Sequence, residues 1–233
     1  MKKLFLAAIF FSFQLTAHAQ FSAIGGYMDM GRNDWEDITI DDFHRGGFIV
    51  GIEYWLRLKN YRVEFSPGIF YNQRNEYTVE VADIPDQGDV IYNSNYFSFQ
   101  FSTSFYPLDF EGDCNCPTFS KQGDFIKKGF FFHIAPEVGM LNGKVNTTTI
   151  AGPVEEKISN FYFAVGGGVG LDIGLSDLVT ITPLVKVTYF PNVNWDTDFG
   201  LSPLDSSSFL AKTFAIRLSF RPDYLRETGR WRR

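Results

Sequence analysis

The chain has 233 residues, a formal charge of −6, 26 phenylalanines and an aromatic content of 18%. A bulk negative charge excludes a nucleic-acid binder, which needs a basic footprint, and the length suits one domain. So many aromatics exceed what a soluble enzyme of this size usually carries and fit strands that face lipid.

The first element is a secretory signal peptide over residues 1–19. Lys2 and Lys3 form its positive start, Leu4 to Phe13 its apolar run, and Ala17-His18-Ala19 its cleavage site, leaving Gln20 as the first mature residue. The run is too short to span a bilayer, and losing Lys2 and Lys3 takes the charge to −8. No later apolar stretch is long enough for a transmembrane helix.

The mature chain alternates with period two. Phe97, Phe99, Phe101 and Phe105 alternate with Ser98, Gln100, Ser102 and Ser104; Phe161, Phe163, Val165 and Val169 alternate with Tyr162, Ala164, Gly166 and Gly168. Phe130, Phe132, Ile134, Val138 and Met140 form another such face, as do Phe214, Ile216, Leu218 and Phe220. The pattern predicts eight strands, near 20–29, 45–58, 61–80, 90–107, 129–148, 157–175, 178–193 and 209–221. The expected fold class is all-β, an eight-stranded antiparallel transmembrane up-and-down β-barrel over 20–221. Closure satisfies every backbone group, which an open sheet edge in lipid cannot do.

An even strand number puts both termini on one side, expected to be the periplasm of a cell with an outer membrane. Leu58-Lys59-Asn60-Tyr61 and Ser176-Asp177 become tight turns on that side. Links near 30–44, 81–90, 149–156 and 194–208 face outward. The connection 109–128 is long, falls on the periplasmic side and carries Cys114 and Cys116. That pair reads first as a possible local disulfide or as idle thiols, since exported cysteines usually pair. A half metal site is the other reading, but His44 and His133, the only mature histidines, are distant in sequence.

The polar face is Ser, Gly, Thr and Ala rather than a Lys/Glu coat, so it reads as the inside. It carries Glu53, Trp55, Arg57, Arg62, Glu64, Arg74, Glu76, His133, Glu137, Asp172, Lys186 and Arg217. Buried charges must be paired, so a charge network is expected to fill the lumen, with Glu137 and Asp172 as partners for Arg217. A narrow polar path for small solutes is the alternative.

Several segments resemble the outer-membrane β-barrel family of Bacteroidota that includes the PorT-type proteins. They are the Ala19-Gln20 start, GIEYWLRLKNYRVEFSPGIFY (51–71), GFFFHIAPEVGM (129–140), FAVGGGVGLDIGLSDLVTITPLV (163–185) and AIRLSF (215–220). The resemblance implies a barrel in the outer membrane. PorT-type members are linked to the type IX secretion machinery, which adds an accessory role in secretion or surface assembly. The family offers no catalytic motif.

Other features have plain readings. Gly166-Gly167-Gly168-Val169-Gly170 lacks the Lys-Ser/Thr of a phosphate loop, and inward glycines leave room for bulky neighbours. Asn146-Thr147-Thr148 matches a glycosylation pattern by accident. His44 near Ser206, Ser207 and Ser208, or His133 inside, lacks a nucleophile motif such as G-x-S-x-G. Asp34, Glu36, Asp37, Asp41 and Asp42 make the first outer loop acidic, without EF-hand spacing. The tail 222–233 is basic and reads as a lock on lipid phosphates or a dock for an acidic partner. The chain is expected to be a non-enzymatic outer-membrane barrel without cofactor. Its partners are membrane lipid and a periplasmic or outer-membrane protein.

Overall fold

The computed structural model describes residues 20–32, 46–58, 61–74, 77–79, 90–110, 125–149, 152–176, 178–193 and 207–220. Eight staves form the wall. β1 is Phe21–Arg32; β2 is Gly47–Tyr54, continued by Leu56–Arg57; β3 is Val63–Arg74, continued by Tyr77–Val79; β4 is Val90–Phe105. β5 is Phe130–Thr149; β6 is Gly152–Leu171, continued by Ile173–Gly174; β7 is Val179–Val193; β8 is Ser207–Phe220. Each stave pairs antiparallel with the next, and β1 pairs with β8 from Phe21↔Phe220 to Arg32↔Phe209, which closes the barrel. The end at Phe21 and Phe220 is called the floor.

The alternation read from the sequence sorts side chains to two sides. Phe48, Ile52, Phe97, Phe161, Phe163, Phe214 and Ile216 are exposed on the outer wall, while Ile49, Glu53, Ser98, Tyr162, Ala164 and Arg217 are buried inside. A water-soluble surface rarely carries so large a contiguous apolar area. Eight strands enclose an interior just wide enough for side chains to fill.

One hairpin differs from expectation. The link near 149–156 shrinks, because β5 and β6 keep pairing to Thr149↔Gly152. Gly152 turns the chain at φ 122°, in the region that favours glycine. Residues 142–149 and 152–160 are polar on both faces, so they offered no apolar period to read. Tyr77–Val79 pairs with Tyr92 to Val90, in agreement with the expected strand ends near 80 and 90.

At the floor a 3₁₀ turn, Pro107–Asp109, and a short helix α1, Phe125–Gly129, flank the long connection. The Asp172 amide donates to the Gly129 carbonyl at 2.9 Å, which carries the β5–β6 pairing one residue past Phe130↔Leu171. In the β6–β7 register Leu171 faces Pro183, which has no amide to give. The β6–β7 pairing therefore runs unbroken only over the six pairs from Leu184↔Gly170 to Tyr189↔Val165, then resumes at Ile181↔Ile173.

The leader 1–19, His44, the acidic outer loop, Glu76, Cys114 and Cys116, Ser206 and the tail 222–233 lie outside the described residues, as does the Arg57 side chain.

Candidate functional site: the barrel lumen

The floor of the lumen is lined by polar side chains. β2 and β3 bring Trp55 beside Glu64, and the indole N–H donates to Glu64 Oε2 at 2.6 Å. Tyr106, at the end of β4, places its hydroxyl 2.7 Å from Glu64 Oε2 and 2.6 Å from Asp172 Oδ2. One phenolic proton thus serves two carboxyl groups.

Arg217 lies 3.4 Å from Asp172 Oδ1 and 3.7 Å from Glu53 Oε2. Thr182 also donates to Asp172. Arg62, completely buried, pairs with Asp109 and lies 4.5 Å over the Tyr106 ring. Arg217 in turn sits 5.3 Å over Phe131. The rings cover the flat faces of the guanidinium groups while their edges reach carboxylates.

Higher up, the Lys186 ammonium donates to Gln100 Oε1 at 3.1 Å and feels the charges of Glu137 and Glu53. Glu137 accepts from the Tyr162 hydroxyl at 2.7 Å. Arg74 hydrogen-bonds Tyr96. Around these, Met28, Tyr96, Leu141, Tyr162, Ala164, Phe190 and Ala211 form an apolar cluster. Within it Tyr162 and Phe190 pack at 5.3 Å and Phe190 stacks on Phe209 at 4.4 Å. The upper lumen is lined by rings, the floor by paired charges.

The structure thus places Glu53, Arg62, Glu64, Arg74, Asp172, Lys186 and Arg217 inside and buried, with Glu137 half-buried. Arg57 pairs backbone to backbone with Glu64. Of the two acids expected for Arg217, Asp172 is beside it, whereas Glu137 belongs to Tyr162; Glu53 takes the second place. Tyr106 and Asp109 were missed as network members. The signal for Tyr106 was available, since it continues the inward parity of Ser102 and Ser104.

The glycine run serves packing. A Cβ at Gly170 would meet the Phe131 ring at 2.3 Å, and one at Gly166 would meet Lys186 Cδ at 2.9 Å. These absent side chains give Phe131 and Lys186 their space.

One Ser–His pair exists among the described residues. Ser104 Oγ lies 3.5 Å from His133 Nδ1, set by the cross-strand register Ser104↔His133. Both residues are buried inside the wall, and no acid among the described residues holds the other ring nitrogen, His133 Nε2. A triad needs that orienting acid and an approach for substrate.

No protein-family model matches the chain, and no curated protein sequence does. Among solved structures, Neisserial surface protein A superposes with a TM-score of 0.50 at 10% identity, over 88% of this chain and 97% of that one. The fold is that of an eight-stranded outer-membrane β-barrel. A major outer membrane protein from Thermus thermophilus has a TM-score of 0.48 at 10% identity, covering 87% of this chain and 99% of that one. Ail, the attachment invasion locus protein of Yersinia pestis, has 0.45 at 14%, covering 87% and 99%. The likeness to these bacterial proteins is one of fold, and it reaches the barrel class without reaching the PorT-type branch.

Proposed function

We propose that this chain is an integral outer-membrane barrel that works without catalysis and without conducting, as a structural or surface-interaction protein. The observation that carries the reading is the division between its two sides. Outside runs an exposed belt of Phe, Ile and Val; inside, the paired floor and the ring cluster crowd the lumen, and the cavity described between them is ≈ 10 Å³. A solute path needs a continuous opening, and small barrels of this strand number are filled by side chains. The signal-like start over residues 1–19, the barrel class and the apolar belt support the outer membrane as its place. The buried Ser104–His133 pair, with no orienting acid among the described residues, supports a role other than hydrolysis.

Planar-bilayer recording of the refolded protein tests this. The expected result is a baseline without stable steps. Reproducible large single-channel currents would overturn the closed lumen and favour the narrow-channel alternative.

Within the same reading, both termini and the connection 109–128 face the periplasm. The similarity of 51–71 and 163–185 to PorT-type barrels supports a second role, as an accessory of secretion or surface assembly docking a periplasmic partner. Co-purification from native membranes in mild detergent distinguishes it: a stoichiometric partner is expected for an accessory and none for a purely structural barrel.

A further inference from the structure

Midway up the lumen lies the small cavity, lined among others by Glu53, Gln100, His133, Lys186, Thr213 and Ala215. Its volume of ≈ 10 Å³ is about one water-sized sphere, since a water needs roughly 10–15 Å³ measured this way. No organic solute fits. Three buried polar atoms belong to residues that line it. Glu53 Oε2, His133 Nε2 and Thr213 Oγ1 have no hydrogen-bond partner among the described residues. Those residues are 3%, 2% and 2% exposed, so bulk solvent does not supply the missing bonds. Buried polar atoms left in that condition are costly and rare.

The geometry points to a single bound water in this cavity, hydrogen-bonded to Glu53, Thr213 and His133. The inference deepens the closed-lumen reading and rests on it. Chemistry selects water over an ion. A carboxylate oxygen only accepts, while a threonine hydroxyl and an imidazole nitrogen can each take either role according to rotamer and tautomer. A water, with two donors and two acceptor sites, serves all three. A cation in the same space would meet the Lys186 ammonium, and an anion would meet the Glu53 carboxylate.

The water also joins two parts of the network. Glu53 Oε2 stands 3.7 Å from Arg217 Nη1, an ion pair too long for a hydrogen bond. A water beside that oxygen supplies the bond the carboxylate lacks. It thereby connects His133 and Thr213 to the Glu53–Arg217–Asp172 floor.

The test is a crystal structure of the full barrel in detergent, at a resolution that places ordered water, for the wild type and for Ala215→Val. In the wild type we expect one density peak, about 2.6–3.2 Å from Glu53 Oε2 and from His133 Nε2 or Thr213 Oγ1. Ala215→Val adds methyl groups to the cavity wall and should lose the peak with the backbone unchanged. An empty cavity overturns the proposal, as does a shifted side chain filling it, a peak with the short contacts of a metal ion, or a peak that persists in Ala215→Val. Should the variant fail to fold, water-to-protein NOEs at the His133 ring and the Thr213 methyl group of the wild type in micelles decide instead: cross-peaks support a resident water and their absence overturns it. A file of waters running from floor to upper end would instead break the closed-lumen reading itself.

Discussion

At the floor, Trp55, Tyr106, Arg62 and Arg217 hold Glu64, Asp172, Asp109 and Glu53 by hydrogen bonds and ion pairs. At the upper end, Met28, Leu141, Tyr162 and Phe190 meet by shape. Both fill the same tube, yet they respond differently to loss. A charge cluster in low dielectric is stable only when each member keeps its partner. An apolar cluster loses contact area in proportion to what is removed. The floor therefore fixes one arrangement of strands, and the upper end tolerates adjustment.

The sharpest way to break this contrast is Arg217→Leu. It leaves Asp172 and Glu53 without their shared cation and should destabilise the folded barrel by about 3–5 kcal/mol, read by urea unfolding in micelles through tryptophan fluorescence. A loss no larger than that of an upper-end substitution would end the distinction. Trp55→Phe is a smaller probe, because it removes one N–H donated to a carboxylate. A cost of about 1.5–3 kcal/mol is expected in the same assay, followed through the remaining tryptophans. At the other end, Phe190→Leu keeps an apolar side chain of fair size in the cluster. Its cost should stay below about 1.5 kcal/mol, and a larger value would show that the rings are as position-specific as the ions.

Much of this was legible in the sequence because period two depends only on local backbone geometry. The Phe97–Phe105 run and its serine partners name both faces of β4 without reference to any other strand. The polar positions facing the lumen, such as Glu53, Asp172 and Arg217, follow from the same parity. Their pairing does not. Tyr106 and Asp172 are 66 residues apart and meet across the tube, so their contact depends on strand tilt and register, which no single strand encodes. Glu137 was a reasonable partner for Arg217 by charge alone, but it sits higher in the wall, within reach of Tyr162. The length of the β5–β6 hairpin was hidden for a different reason. Asn142, Lys144, Asn146, Ser159 and Lys157 present polar groups where the lower strands present phenylalanine, and without an apolar face the alternation has no contrast.

The break in the β6–β7 ladder has a consequence for motion. Six consecutive pairs form the shortest unbroken run of any neighbouring staves described, against twenty between β5 and β6. Opening a ladder costs free energy roughly with the bonds that must part together, and regions with few such bonds open first. Deuterium should therefore enter those amides of 165–170 and 184–189 that face each other across this ladder sooner than the amides in the lower half of β5. The wall has a built-in place to part, and it lies beside the acid on which the floor depends.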